Sequence, residues 1–145
     1  MCGIVGYIGE KPVYDILING LKKLEYRGYD SSGVMIYNNE LLVKKSKGKV
    51  SALENLFSNE KDKMGRIGIG HTRWATHGPP NQVNSHPHIS NSGEISLVHN
   101  GIIENYDSIK KILLKKGYTF SSDTDSEVLV NLIEDIKKSK KVKLG

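Results

Sequence analysis

The chain has 145 residues, 37% of them hydrophobic and 26% charged, with a formal net charge of +5 at pH 7. This length suits one globular domain with a core of its own, and a single cysteine excludes an internal disulfide and gives no sign of secretion. The apolar N-terminal stretch is too short and too rich in glycine for a signal peptide or a membrane span, so we expect a cytoplasmic protein without a membrane partner.

The first half of the chain predicts a strand, a helix, a loop and a hairpin. CGIVGYI at 2–8 is typical of a strand, and YRGYDSSG at 26–33 of a loop. VMIY and LLVKK flank Asn38-Asn39, which indicates a hairpin because Asn tolerates positive φ. A short helix is predicted from Ser51 to Phe57. Pro12 suits the first position of the earlier helix, whose apolar face is Val13, Ile16, Leu17, Leu21 and Leu24.

The second half predicts two strands and two helices. RIGIG at 66–70 and EISLVH at 94–99 are strands, and a helix from Asn105 to Lys116 stops at Gly117. Thr124 to Glu127 is the pattern of a capping box that opens the last helix. The predicted core residues of these helices are Ile109, Ile112, Leu113, Val128, Leu129, Leu132, Ile133 and Ile136.

The chain closes on its densest lysine run, KKSKKVKLG from Lys137. Lysines make up 18 of the 21 basic residues, and this run contains neither arginine nor an aromatic residue. Stacking aromatics and arginine are expected of a nucleic-acid site, so a solvated terminus is favoured and no nucleic-acid partner is expected. The whole pattern indicates a mixed α and β domain.

The only cysteine stands second, directly behind the initiator methionine. A small second residue usually permits removal of Met1, which would give Cys2 both a thiol and a free α-amine. An α-amine gives up its proton nearer neutrality than a lysine does, so it can serve as a base toward the thiol. The alternative is a small apolar residue at the start of a buried strand.

Histidines cluster in the loop that follows the RIGIG strand. Four of the five fall within 71–88, and His71, His77, His86 and His88 could together form a zinc site. No carboxylate lies in the loop and the cysteine is far away in sequence. Loop histidines hydrogen-bonded to the backbone are therefore favoured over a metal, and no cofactor is expected.

Asn100-Gly101 follows a predicted strand. Local statistics favour a type I′ hairpin turn at such a pair. The functional alternative is an oxyanion hole, in which the amide NH₂ and the glycine N–H both point at a developing negative oxygen.

Two charged residues complete a possible site. Arg73 has the planar fork that suits a carboxylate. Asp125 lies at the start of a helix, where the helix dipole favours a carboxylate, yet Thr124 already supplies the cap and leaves Asp125 for a ligand's ammonium group. A carboxylate and an ammonium group define an α-amino acid, and a thiol with an oxyanion hole is suited to acyl transfer. The natural electrophile is a glutamine amide.

The sequence resembles the class II glutamine amidotransferases, which are N-terminal-nucleophile hydrolases. The resemblance rests on CGIVGYIG at 2–9, LEYRGYDSSG at 24–33, GHTRWATHGPP at 70–80, NSHPH at 84–88, VHNGIIENY at 98–106 and SDTDSE at 122–127. These pieces resemble most the branch that passes ammonia to fructose 6-phosphate. The alternatives are the amidophosphoribosyltransferase branch, which reads differently around RGYDSSG and RWATHG, and a non-catalytic remnant.

The resemblance implies a role for each matching residue. Cys2 becomes the nucleophile, with its α-amine as base, and Asn100 and Gly101 become the oxyanion hole. Arg73 takes the α-carboxylate of L-glutamine and Asp125 its α-amino group. The remaining substrate-site residues are Trp74, Thr76, His77 and Arg27, the last in the loop that organises the turn at Cys2.

The resemblance also implies an α+β fold, the αββα sandwich of the N-terminal-nucleophile hydrolases. Residues 1–145 correspond to the glutaminase domain, and we expect them to end before its last strands, with the synthase half absent. The family's other implied properties are a homodimeric full-length protein and no metal.

Overall fold

The computed structural model describes residues 1–74 and 79–140. Its larger sheet is antiparallel, with the strand order β1-β4-β2-β3. The strands are β1 (Gly3–Ile8), β2 (Ser31–Tyr37), β3 (Leu41–Lys47) and β4 (Ile67–Arg73). β4 lies between β1 and β2, so its last residues meet the start of both neighbours, with Thr72 opposite Gly3 and Arg73 opposite Ser31.

Two helices cover one face of this sheet. They are α1 (Tyr14–Leu24) and α2 (Val50–Glu54), and α1 contacts β1 and β4. The core between helices and sheet is aliphatic, and each buried side chain of this size contributes about 1.5–3 kcal/mol to stability. Its buried members are Val13, Leu17, Ile18, Leu21, Val34, Ile36, Val50, Leu53 and Phe57.

The second layer contains a short sheet and the other two helices. β5 (His88–Ile89) pairs with β6 (Ser96–Leu97), and α4 (Asp125–Lys140) contacts both strands. α3 (Tyr106–Lys115) packs on α4 through a small cluster around Leu113, Tyr118 and Val128. The order of layers is therefore helix, sheet, sheet, helix, and the predicted α+β class is confirmed. Within the described residues, no helix has the length and apolar character needed to cross a membrane.

Several predicted elements have different bounds. α1 begins at Tyr14 rather than at Pro12, with Val13 as its N-cap, and the Val13 N–H donates to the Gly65 carbonyl oxygen. The predicted loop 26–33 is wrong at its end, since Ser31, Ser32 and Gly33 pair with strands on both sides. The predicted strand 94–99 is reduced to Ser96–Leu97. The predicted helix 51–57 ends at Glu54.

The inward faces of α3 and α4 also differ from the prediction. Ile112 and Ile136 are exposed, whereas Asn131 and Glu134 are buried. The polar pair is satisfied by a turn of the β5–β6 hairpin, because Asn131 Oδ1 accepts the Asn91 N–H and Glu134 Oε2 accepts the Ser92 N–H. The prediction used only the spacing of apolar residues, which cannot reveal that Asn131 and Glu134 form a buried polar face on α4.

Only half of the predicted capping box is present. Thr124 Oγ1 accepts the Glu127 N–H at 3.4 Å. The Glu127 carboxylate instead accepts the backbone N–H groups of Ser121 and Ser122.

Gly33 lies where the loop before β5 comes close to the larger sheet. A Cβ built on it would overlap the carbonyl oxygen of His86 and lie 3.2 Å from that of Lys44. Backbone cannot move aside as a side chain can, so we expect Gly33→Ala to lower the free energy of unfolding by about 1–3 kcal/mol or more. Gly6→Ala is the matched control in the same sheet, since its nearest neighbour would be a methyl group at 3.9 Å. Urea unfolding of both variants measures the difference, and equal stabilities would contradict the close approach.

Candidate active site

One cavity of about 490 Å³ collects most of the residues that the sequence singles out. It opens where β1 begins and β4 ends, and the start of α4 closes its far side. The predicted residues on its wall are Cys2, Arg73, Trp74, Asn100, Gly101 and Asp125. Met1, His86, His99, Ile102, Thr124 and Ser126 complete the lining.

Cys2 is held against the end of β4. The Trp74 N–H donates to its sulfur at 3.1 Å, and the sulfur also lies 3.5 Å from the Trp74 carbonyl oxygen. The neighbouring Gly3 N–H donates to Thr72 Oγ1 at 3.2 Å, which fixes the start of β1. The α-amine of Met1 donates to the Arg27 carbonyl oxygen at 2.6 Å. These contacts fix the sulfur beside the end of β4, where it faces the cavity.

Asn100 and Gly101 follow β6 but do not form the type I′ turn that local statistics favour. Neither residue has positive φ, which that turn requires. The Asn100 Nδ2 instead donates to the Cys2 carbonyl oxygen at 3.2 Å, and its Oδ1 lies 2.7 Å from His71 Nε2. The side-chain amide is thus fixed directly beside the cysteine.

Arg73 and Asp125 bring opposite charges to the same cavity. Both are almost fully buried. Burial lowers the pKa of Arg73, while Asp30, Cys2 and Asp125 act in the opposite direction. An Arg73 Nη1 donates to the Pro79 carbonyl oxygen at 3.3 Å. Asp125 is not as free as the sequence suggests, because its Oδ2 accepts the Ile103 N–H at 2.7 Å.

The other predicted substrate residues have varied positions. Trp74 lines the cavity with half of its surface exposed and meets the Tyr29 ring edge to face at 6.3 Å. Arg27 lies outside the cavity lining, and its carbonyl oxygen, not its guanidinium, contacts the N-terminus. Thr76 and His77 lie outside the described residues.

Three histidines of the cluster, His71, His86 and His88, pack on one another, and His86 also lines the cavity. The His71 and His86 rings stack with centroids 4.3 Å apart, and the His88 ring meets His86 edge to face at 4.7 Å. Burial lowers the pKa of His71 to about 4 and that of His88 to about 3, and it also lowers the pKa of His86. Among the described residues, no group of three or more potential ligands is arranged to hold a metal ion.

Two supporting contacts were missed in the sequence. His71 pairs with Asn100 across 29 residues, and His88 Nε2 lies 2.8 Å from Oγ1 of Thr124, the residue before α4. A cluster of histidines was the only signal in the sequence. It did not reveal their partners, because those contacts join separate loops and strands.

Comparison with known proteins gives relatives of high identity. The chain is 60% identical over 146 residues to glutamine–fructose-6-phosphate aminotransferase [isomerizing] of Bacteroides thetaiotaomicron, which covers 99% of this chain and 24% of the relative. The enzyme of the same name from Pyrococcus horikoshii is 53% identical over 93% of this chain and 23% of its own. The chain therefore spans about a quarter of the length of these curated relatives.

Solved structures and a family model agree with these relatives. Glutamine phosphoribosylpyrophosphate amidotransferase of B. subtilis superimposes with a TM-score of 0.75 and 29% identity over 92% of this chain and 29% of that one. The model of the glutamine amidotransferase domain matches residues 54–143. Since this match covers more than half of the sequence, the chain belongs to the glutamine amidotransferase domain family.

Proposed function

We propose that the chain hydrolyses L-glutamine to L-glutamate and ammonia, with Cys2 as the nucleophile. The observation that carries this proposal is the meeting of a cysteine sulfur, an asparagine amide and a buried Arg73–Asp125 pair on one cavity wall. The cavity is large enough for an amino acid, since small-molecule sites start at about 300 Å³.

Substrate binding uses the two charged residues. The Arg73 guanidinium binds the α-carboxylate, and Asp125 binds the α-ammonium group through the oxygen that does not accept from Ile103. These two contacts fix the backbone of the amino acid and direct its side-chain amide toward Cys2. Trp74, Thr76 and His77 complete the substrate site in this proposal. Arg27 helps to organise the turn at Cys2 in this proposal, and its carbonyl oxygen accepts from the α-amine of Met1 before Met1 is removed.

Removal of Met1 first gives the mature chain, in which Cys2 carries the free α-amine. This amine takes the thiol proton, and the sulfur attacks the γ-carbonyl carbon to form a C–S bond. The carbonyl oxygen becomes an anion held by Asn100 Nδ2 and the Gly101 N–H. The C–N bond then breaks, and the amine returns its proton to the leaving ammonia. Water, deprotonated by the same amine, cleaves the thioester to glutamate and free thiol.

The ammonia acceptor in this proposal is fructose 6-phosphate, bound by the synthase half found in the longer relatives. Identities of 53–60% to the fructose-6-phosphate enzymes favour this branch over the phosphoribosylpyrophosphate branch, whose B. subtilis structure is 29% identical. The expected setting is a cytoplasmic homodimer of the full-length protein. The two branches are distinguished by testing the full-length protein with fructose 6-phosphate and with phosphoribosylpyrophosphate, and measuring which acceptor receives the ammonia from glutamine.

The direct test measures ammonia release from L-glutamine by the full chain, with removal of Met1 verified by mass spectrometry. Turnover that saturates with L-glutamine and not with L-asparagine supports the proposal. A chain that binds glutamine without turnover would instead be a non-catalytic remnant of the family.

Asp125 provides a test of substrate recognition. Asp125→Asn keeps an oxygen for the Ile103 N–H but removes the negative charge, and a hydrogen bond to a charged group is worth about 1.5–3 kcal/mol. We therefore expect the KM for glutamine to rise about 10- to 100-fold, with thermal stability almost unchanged because Thr124 still caps α4.

The matched control is Asp123→Asn, two residues away, where the side chain is exposed and outside the cavity. Its KM should equal that of the wild type. A large loss of stability in Asp125→Asn with a normal KM would mean that Asp125 only stabilises the start of α4 and does not bind glutamine.

A further inference from the structure

The orientation of the Asn100 amide follows from its neighbours. A backbone carbonyl can only accept, so the group 3.2 Å from the Cys2 oxygen must be the Asn100 NH₂. Its second hydrogen remains for a ligand in the cavity that Asn100 lines. The amide oxygen consequently faces His71, with 2.7 Å between Oδ1 and Nε2.

This orientation requires one tautomer of His71. Because Oδ1 of Asn100 can only accept, His71 Nε2 must carry hydrogen. In a neutral ring Nδ1 then carries none, and this buried atom has no hydrogen-bond partner among the residues that the structure describes. The opposite tautomer would present a lone pair to Oδ1 and would favour rotation of the amide, which would direct oxygen toward the substrate oxyanion.

His71 is held rigidly and kept neutral. Its ring has no exposed surface, and it stacks on His86 with an angle of 29° between the planes. Burial lowers its pKa to about 4, and the nearby Arg73 and His99 add to this effect, while the hydrogen bond with Asn100 opposes it. The ring therefore stays uncharged across the physiological pH range.

We infer that His71 is a positioning residue that sets the polarity of the oxyanion hole by donating Nε2–H to the Asn100 amide oxygen. The inference rests on the proposed glutaminase function. His71 does not line the cavity, so it acts only through Asn100.

The kinetic test compares two variants in the full chain. His71→Phe keeps an aromatic ring but removes the donor. We expect kcat to fall about 10- to 100-fold, a loss comparable to that seen when a group that orients a metal ligand is removed, with little change in KM. His71→Gln supplies an amide N–H near the position of Nε2 and should restore most of kcat. In an Asn100→Ala background, His71→Phe should cause no further loss, because its effect passes through the missing amide.

A binding test distinguishes a loss of oxyanion stabilisation from a general disturbance of the site. The aldehyde analogue of glutamine forms a C–S bond with Cys2, the thiol proton passing to the α-amine as the carbonyl oxygen becomes an anion. His71→Phe should weaken this analogue by the same factor as it lowers kcat. Binding of L-norvaline, which has the α-carboxylate and α-ammonium group but no side-chain carbonyl, should stay unchanged. Equal weakening of both ligands, or additive loss with Asn100→Ala, would overturn the inference.

A measurement on the wild-type chain covers the case in which His71→Phe does not fold. Long-range ¹H–¹⁵N spectra of histidine-labelled protein report which ring nitrogen carries hydrogen. We expect His71 to show protonated Nε2 and bare Nδ1, and a ring protonated at Nδ1 would overturn the inference. Turnover by the wild type tests the glutaminase function separately, so its absence would refute that function while the spectra still decide the role of His71.

Discussion

Cys2→Ala should abolish ammonia release from L-glutamine while leaving the fold intact. The sulfur is the only thiol in the chain, so no other side chain can form the thioester. Among the described residues its hydrogen bonds are with the Trp74 backbone, and Cys2 is only half-buried, so we expect alanine to cost little stability. We expect turnover to fall to background, by about 10⁴-fold or more in the manner of other nucleophile deletions. A glutamine-analogue alkylator should label the wild type once and the variant not at all.

A chain that retains Met1 is the matched control for the role of the Cys2 α-amine as the base. When Met1 is present, the α-amine belongs to Met1 and donates to the Arg27 carbonyl oxygen, while the Cys2 nitrogen is an amide without a basic lone pair. Protein made with methionine aminopeptidase inhibited should therefore fold normally and fail both assays. Labelling that persists in Cys2→Ala, or full turnover with Met1 in place, would refute Cys2 as an N-terminal nucleophile.

Asn100→Ala should lower kcat about 10²–10³-fold, or roughly 3–4 kcal/mol of transition-state stabilisation, while glutamine still binds. The variant removes the Nδ2 donor beside the Cys2 carbonyl and leaves Arg73 and Asp125 untouched. KM should accordingly change little. Steady-state kinetics on the full chain, with glutamate binding measured separately, separate the loss of turnover from any loss of affinity.

Asn105→Ala is the control for Asn100. Asn105 precedes α3, is exposed, and its side chain makes no capping hydrogen bond, so its removal should leave turnover unchanged. Near-normal turnover of Asn100→Ala would mean that Asn100 only stabilises the loop beside Cys2.

The sequence was informative wherever structure depends on local chemistry. The hairpin at Asn38-Asn39 forms as predicted, with positive φ at Asn39. α3 ends at Lys115, and Gly117, just beyond the C-cap Lys116, also has positive φ. These features depend on which residues tolerate a left-handed backbone. Apolar periodicity also located α1, because its buried face packs on a single sheet.

Local patterns failed where partners come from elsewhere in the chain. Ser31-Ser32-Gly33 has the composition of a loop, yet it forms strand because β3 and β4 satisfy its backbone on both sides. Gly33 then allows His86 to approach the sheet. Ile112 and Ile136 repeat at helical spacing but face solvent. On α4 the buried stripe is polar instead, since Asn131 and Glu134 meet the β5–β6 hairpin.

The sequence by itself determined the chemistry that the chain carries: a thiol behind Met1, an Asn-Gly pair, an arginine at a strand end and an aspartate at a helix start. Residue types and their order suffice for this, because reactivity belongs to side chains. Only the tertiary structure decided how these groups meet. Antiparallel pairing of β1 with β4 brings Cys2 beside Trp74, 72 residues away, and the loop after β6 brings Asn100 to both Cys2 and His71. Such contacts depend on register and packing between distant segments, which no local pattern encodes.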